Sequence, residues 1–323
     1  MCAARQEVAT RSCPDDIDRD TDHPAMHKLA EMAASSNPGS GPGAVGRPPC
    51  VLAIAGSDSG GGAGIQADLK AFAACGVHGM TAITAITAQN TVGVSAVEAI
   101  SPELIVAQVK AVAEDIGVDA VKIGMLGTVA TIEAVAASLD LLAPATPVVL
   151  DPVMVSESGA ELLETSARGA LMRLLLPHVR VITPNLPEAR ALAAAASAAA
   201  PATAPETASG TAPDDGDDAV ALAHALHALG PEVVVVTGGH REQAVDVFFD
   251  GSQVVELPGE RYPGGAAHGS GCTHSSVLAA RLAWGDTPLE AAGVAKRMAS
   301  EAVRDGLAGV GAGAGPVNVL GMT

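Results

Sequence analysis

Three short stretches, Val148–Leu150, Val179–Ile182 and Val233–Thr237, read as continuous rather than alternating apolar runs. Successive side chains of a strand point to opposite faces, so a strand with one wet face alternates, and a continuously apolar strand needs protein on both faces. That condition is met in a parallel sheet with helices packed above and below. Upstream, Cys50–Ala55, Thr81–Thr87 and Ala120–Ile123 each give way to a helical pattern, near Gly64–Ala74, Pro102–Ile116 and Thr128–Leu142. The alternation predicts an α/β fold with a mainly parallel central sheet covered by helices on both faces. Val245–Phe249 and Gln253–Leu257 flank Asp250-Gly251, a strong hairpin signal that predicts a small antiparallel edge.

The chain has 323 residues, 48% of them hydrophobic, enough for one large core. Only 2% are aromatic, so Ala, Val, Leu and Ile must fill that core, and few side chains are left on which bases could stack. Residues 1–48 mix charge, Ser, Pro and Gly without lasting periodicity and are expected to be a disordered extension. The core-bearing domain is placed at 49–308. A low-complexity Ala/Pro/Thr segment closing on four aspartates, 193–218, is expected to be a surface insertion within it, and 309–323 a Gly-rich C-terminal tail. The formal net charge of −18 argues against a nucleic-acid or anionic-membrane surface. Five cysteines without Cys-x-x-Cys spacing indicate neither a disulfide framework nor a zinc site. No apolar run reaches membrane-spanning length, and the first residues lack the pattern of a secretory signal, so a cytoplasmic protein is expected.

In an open α/β sheet, ligands bind beyond the carboxyl ends of the strands. Here those ends carry Asp151-Pro152, Thr183-Pro184-Asn185 and Gly238-Gly239-His240, and the first strand ends in Gly56-Ser57-Asp58-Ser59-Gly60-Gly61-Gly62-Ala63-Gly64. This glycine loop lacks both the dinucleotide fingerprint and the Gly-Lys-Ser/Thr ending of a P-loop. A second loop, His268-Gly269-Ser270-Gly271-Cys272-Thr273, runs into the apolar positions Val277, Leu278 and Leu282. Glycines allow close backbone approach, and a helix N-terminus directs free N–H groups outward, so this junction suits an anion such as phosphate. Cys272, in the first turn, is a candidate base or nucleophile because a helix N-terminus favours the thiolate; the alternative is a buried structural cysteine. Asp68 lies within the apolar frame of Ile65, Leu69 and Phe72, as a ligand group or as an ordinary surface carboxylate. Gln89 and Asn90 offer amides that complement a heterocycle edge, Asn90 equally serving as a cap. Asn185 and Glu188 place hard oxygen ligands three apart, which suits a hydrated magnesium ion held with nucleotide phosphates, or else a helix cap with Glu188 reaching back.

Taken in order, these segments, with Lys122-Ile123-Gly124-Met125-Leu126 and Asp151-Pro152-Val153-Met154, resemble the ribokinase-like superfamily, and specifically the hydroxymethylpyrimidine/phosphomethylpyrimidine kinases of thiamine biosynthesis. The resemblance covers roughly residues 49–305 apart from the insertion. It implies a ribokinase-like fold and two successive ATP-dependent, magnesium-assisted transfers, first to 4-amino-5-hydroxymethyl-2-methylpyrimidine and then to its monophosphate. It also implies that Asp68 and Gln89 bond the aminopyrimidine, with Gly56, Ala88 and Met125 near its ring. Asn185 and Glu188, with Asp151 nearby, would position magnesium and phosphates, and Thr237 and Gly239 would touch the nucleotide. Gly269, Ser270 and Gly271 would form the anion hole, and Cys272 would act as base where related sugar kinases carry aspartate. Ser270 stands in place of a commoner threonine, and Thr237 in place of a commoner lysine. A pyridoxal-type kinase and a pyrimidine-binding protein that has lost catalysis are the alternative readings. The family further suggests a homodimer.

Overall fold

The computed structural model describes residues 46–199, 215–239 and 244–323. Residues 1–45, most of the expected extension, and His240 lie outside the described residues. The strands are β1 (Cys50–Asp58), β2 (His78–Asn90), β3 (Gly93–Ala99), β4 (Ala120–Ile123), β5 (Val148–Leu150), β6 (Val181–Ile182), β7 (Val233–Val236), β8 (Asp246–Phe249) and β9 (Val254–Leu257). The helices are α1 (Gly64–Ala74), α2 (Pro102–Asp115), α3 (Val129–Leu139), α4 (Ala167–Leu174), α5 (Leu186–Ala199), α6 (Asp215–His227), α7 (Ser270–Ala283) and α8 (Pro288–Arg304). The sheet order is β3-β2-β1-β4-β5-β6-β7-β8-β9. The run from β2 through β7 pairs in parallel, whereas β3 pairs antiparallel with β2, and β8 and β9 antiparallel beyond β7.

The apolar strands behave as their composition demands. Val51–Ile54, Val149, Leu150, Val181, Ile182 and Val234–Val236 are all fully buried. Helices α1, α7 and α8 pack together on one face and α2 to α6 follow one another across the other. Helix starts follow local chemistry. Ser101 accepts from the Leu104 N–H with Pro102 at the first position of α2, Thr128 caps α3, and Thr287 with Glu290 forms a capping box on α8.

Several boundaries differ from the sequence expectation. The sheet has an antiparallel edge at both ends, because β2 continues to Asn90 and turns back as β3, whose side chains are nearly all exposed. A strand with one thin, wet side leaves no continuous apolar run to read. β6 starts at Val181 because Leu176–His178 forms a short 3-10 turn. Of the segment 193–218, residues to 199 continue α5 and α6 begins at Asp215, while 200–214 lie outside the described residues. The C-terminal segment is folded back. Leu307 donates to the Pro316 carbonyl at 2.9 Å, Asn318 to the Ala302 carbonyl at 2.9 Å and Val317 to the His268 carbonyl at 3.0 Å, and Val317 and Asn318 are buried.

The chain crosses from the β2 side of β1 to β4 on its other side, so strand order reverses at β1 and β4. A crevice at the carboxyl ends opens at such a point.

Candidate active site

A cavity of about 570 Å³ occupies that crevice. Its wall is built from strand ends: Gly56–Asp58 after β1, Thr87 and Gln89 on β2, Lys122 and Met125 at β4, Asp151 after β5, Thr183 and Asn185 after β6, and Thr237 and Gly239 after β7. Helix α7 closes it with Gly269, Ser270, Gly271 and Cys272. Gly56, Gln89, Met125, Asp151, Asn185, Glu188, Thr237, Gly239 and the 269–272 loop, all singled out from sequence, thus line one cavity.

Asp68 and Ala88 do not. Ala88 points away from the cavity and is exposed, since its neighbours Thr87 and Gln89 occupy the inward positions of the strand. Asp68 is fully buried behind the wall, with Oδ1 2.8 Å from Lys122 Nζ and accepting from Ser276 Oγ at 2.7 Å. Its Oδ2 has no hydrogen-bond partner. Burial pushes the Asp68 carboxyl up and Lys122 pulls it back. Burial alone would lower the Lys122 ammonium; Asp68, Cys272 and Asp151 more than reverse this and hold it charged. Asp68 therefore meets the cavity only through Lys122, a site residue the sequence reading left without a role. A lysine inside the otherwise apolar β4 was the available signal, since an unpaired charge there would be costly.

The anion loop opens α7 with Gly269 as N-cap at φ 85°. An added Cβ on Gly271 would lie 3.9 Å from Asp151 Oδ2, which places the loop beside the acidic corner. Asp151 Oδ2 also accepts from Ser275 Oγ at 3.0 Å, in the second turn of α7. At the corner itself, Asn185 Oδ1 accepts from the Glu188 N–H at 2.9 Å, and Glu188 Oε2 accepts from the Asn185 N–H at 2.9 Å. The capping arrangement is thus present, and both side chains still face the cavity. Burial, then the neighbouring Asp151, push Glu188 up to about 8. Asp151 is raised too, by burial, with Lys122 opposing.

Cys272 departs from the expectation of a favoured thiolate. Burial pushes its thiol up to about 12; Lys122 opposes, but Asp68 and Asp151 add to the rise, and a hydrogen bond from the Gly64 N–H does not offset them. Burial, with the two carboxylates adding to it, thus favours the thiol over the thiolate. Thr87 Oγ1 donates to the Ser57 carbonyl at 2.7 Å and lies 3.3 Å from Gln89 Oε1.

A second buried cluster lines the far lobe of the cavity. Asp246 Oδ1 accepts from Lys296 Nζ at 2.6 Å and from the Gly238 N–H at 2.8 Å. His274 Nε2 stands 3.4 Å from Asp246 Oδ2, an ion-pair distance without hydrogen-bond alignment. Burial would raise Asp246, but His274 and Lys296 hold it below the usual carboxylate range. This cluster fixes the Gly238 turn next to Thr237 and Gly239. Lys296, His274 and Asp246 lie on three separate elements, so no local sequence pattern joins them.

The family model described as phosphomethylpyrimidine kinase matches residues 58–318. The chain belongs to this family. A hydroxymethylpyrimidine/phosphomethylpyrimidine kinase of Rhizobium meliloti is 46% identical over 274 residues, 83% of this chain and 96% of that protein. Among solved structures, a phosphomethylpyrimidine kinase from Clostridium difficile 630 is 39% identical with a TM-score of 0.65, over 79% of this chain and 99% of that one. The pyridoxal kinase of Staphylococcus aureus, solved with pyridoxal, is 31% identical with a TM-score of 0.73, over 85% of this chain and 95% of that one. The same enzyme has been solved with ADP and with AMP-PCP. Membership of the phosphomethylpyrimidine kinase family makes the chain a phosphotransferase of ribokinase-like fold.

Proposed function

We propose that this chain transfers the γ-phosphoryl of ATP to the hydroxymethyl group of 4-amino-5-hydroxymethyl-2-methylpyrimidine, and then a second phosphoryl to the monophosphate, in thiamine diphosphate synthesis. The observation that carries the reading is a thiol at the head of a glycine loop, sharing one cavity with a side-chain amide and a two-carboxylate corner. Gln89 presents its amide to the aminopyrimidine edge, and Met125, whose sulfur packs against Gly56, flanks the ring. Backbone N–H groups at Gly269 and Gly271 face the charge that develops on the transferred phosphoryl, while the Ser270 N–H is engaged by the Ala267 carbonyl at 3.0 Å. Cys272 holds the acceptor hydroxyl; it acts as base only after losing its own proton, and the thiolate then takes the hydroxyl proton as the new O–P bond forms and the bond to ADP breaks. A loose phosphoryl-transfer transition state makes small demands on the base until that bond is made, so the small thiolate fraction of a thiol of high pKa is compatible with the role. Asp68, through Lys122, sets the charge at the base of the site rather than touching the pyrimidine.

Magnesium fits the acidic corner in a particular way. Among the described residues no group of three or more His, Cys, Asp or Glu side chains could hold a metal ion. Magnesium, however, keeps waters and takes one or two carboxylates together with phosphate oxygens. Glu188 and Asp151 supply those two carboxylates and Asn185 a neighbouring amide, while Thr237 and Gly239 border the nucleotide lobe. The ion would neutralise phosphate charge there.

Phosphorylation assays with the alcohol, the monophosphate and pyridoxal supplied separately test this reading. Turnover of both pyrimidines is expected. A clear preference for pyridoxal, or tight pyrimidine binding without ADP release, sinks it.

We also read the chain as a cytoplasmic homodimer that binds no nucleic acid. Cys50, Cys75 and Cys272 are free thiols, and among the described residues no helix is long and apolar enough to cross a membrane. Ile86 and Val97, on opposite faces of the β2–β3 hairpin, and Val92 at its turn are exposed apolar side chains that a second copy could cover. Sedimentation should give twice the chain mass; a monomer at micromolar concentration argues against the dimer.

A further inference from the structure

Asp58 and His268 lie 210 positions apart and hold no role in binding or chemistry above, yet they form a buried pair in the cavity wall with His268 Nε2 3.0 Å from Asp58 Oδ2. Asp58 is 2% exposed and His268 7%. The same carboxylate caps the first glycine loop: Oδ1 accepts from the Gly60 N–H at 2.8 Å, and Oδ2 from Gly62 at 3.0 Å and Ala63 at 2.8 Å. Burial would raise Asp58, but the bonds from His268, Ala63 and Gly60 hold it below the usual carboxylate range. An ionised carboxylate only accepts, so His268 Nε2 carries the hydrogen.

The two loops are in direct contact. A Cβ on Gly62 would overlap the His268 ring, and one on Gly269 would overlap the Gly62 carbonyl oxygen. Gly269 also requires its φ of 85°. The His268 backbone is pinned from the other side, its N–H donating to the Gly315 carbonyl at 3.2 Å and its carbonyl accepting from Val317 at 3.0 Å. One residue further on begin the N–H groups that face the phosphoryl.

We propose that His268 is a positioning residue for phosphoryl transfer: by donating to Asp58 it locks the anion loop to the acceptor-side glycine loop, so that the N–H groups of Gly269 and Gly271 and the Cys272 side chain stand in register with the bound hydroxyl. The inference rests on the reading of the 269–272 loop as the transfer site. Anion-hole donors act only where they already point at the developing charge, so a displacement of the order of 1 Å lowers turnover while leaving pyrimidine and nucleotide contacts in place.

The test compares His268→Gln, whose longer amide can still donate to Asp58, with His268→Asn and His268→Leu, which cannot, all in the full-length chain. Turnover, KM for the pyrimidine alcohol and for ATP, ADP affinity and thermal melting are measured for each. Leu and Asn variants are expected to lose kcat by on the order of 10- to 100-fold, with KM and ADP affinity changed less than about 3-fold, and Gln to recover most of the loss. Should the Leu variant fail to fold, the Gln-to-Asn ratio decides. Wild-type kcat in Asn, a loss confined to KM, or Gln no better than Asn overturns the proposal. Absence of turnover in the unmutated chain instead overturns the transfer-site reading on which it stands.

Discussion

At the scale of single residues, two side chains carry opposite expectations. Cys272→Ser puts a hydroxyl of similar size in place of the softer, more acidic thiol. It should lower kcat by on the order of 100-fold, within the range for loss of a general base, with pyrimidine affinity nearly unchanged; steady-state kinetics beside calorimetric binding decides, and unchanged turnover removes Cys272 as the base. Asp68→Ala leaves the fully buried Lys122 ammonium without its 2.8 Å partner. Breaking a buried pair from one side costs about 3–5 kcal/mol, so denaturant unfolding should show a large stability loss. A variant of normal stability that has lost only pyrimidine affinity would return Asp68 to the direct-ligand role implied by resemblance. The sequence showed Asp68 within an apolar frame; that its counter-ion sits 54 positions away on β4 could not be read from spacing.

At the scale of elements, the anion loop is decided by geometry at one glycine. Gly269→Ala would place a side chain in the left-handed region, at roughly 1–2 kcal/mol, and against the Gly62 carbonyl oxygen. The loop must shift, so turnover should fall by at least about 10-fold together with a lower melting temperature; wild-type kinetics would show that the loop tolerates displacement. Helix α1 was legible at both ends, and α2 to within a residue, because apolar spacing and a Ser-Pro start coincide. β3 was missed because a strand at a wet edge has nothing to bury. The extent of α5 was missed because an alanine-rich sequence has high helix propensity but resembles a featureless linker.

At the scale of the whole molecule, the acidic corner ties stability to pH. The Glu188 carboxyl is raised to about 8 in the folded protein from an ordinary 4.5. A raised carboxyl contributes stability in full below the unfolded value and loses it as pH rises through the folded one. Without metal, melting temperature should therefore fall between about pH 5 and pH 9. Magnesium takes the ionised form, so its stabilising effect should be larger at pH 9 than at pH 6. Calorimetry of the wild type and Glu188→Gln checks both; an unchanged pH slope in the variant assigns the effect elsewhere. Exposed Ile86, Val92 and Val97 belong to this scale as well, through the dimer expected on the β2–β3 hairpin.

Local pattern was enough to determine the layers, the strand ends that line the cavity, the glycine loop that opens α7 and the family resemblance. Each depends on residues close in sequence, where periodicity, glycine and capping chemistry act. Tertiary structure alone decided which buried polar groups meet: Lys122 with Asp68, Lys296 and His274 with Asp246, and His268 with Asp58. Burial makes those pairings necessary, since an ion removed from water must find its partner wherever the fold places one. The same burial, beside two carboxylates, keeps Cys272 a thiol where its position at a helix N-terminus had favoured the thiolate.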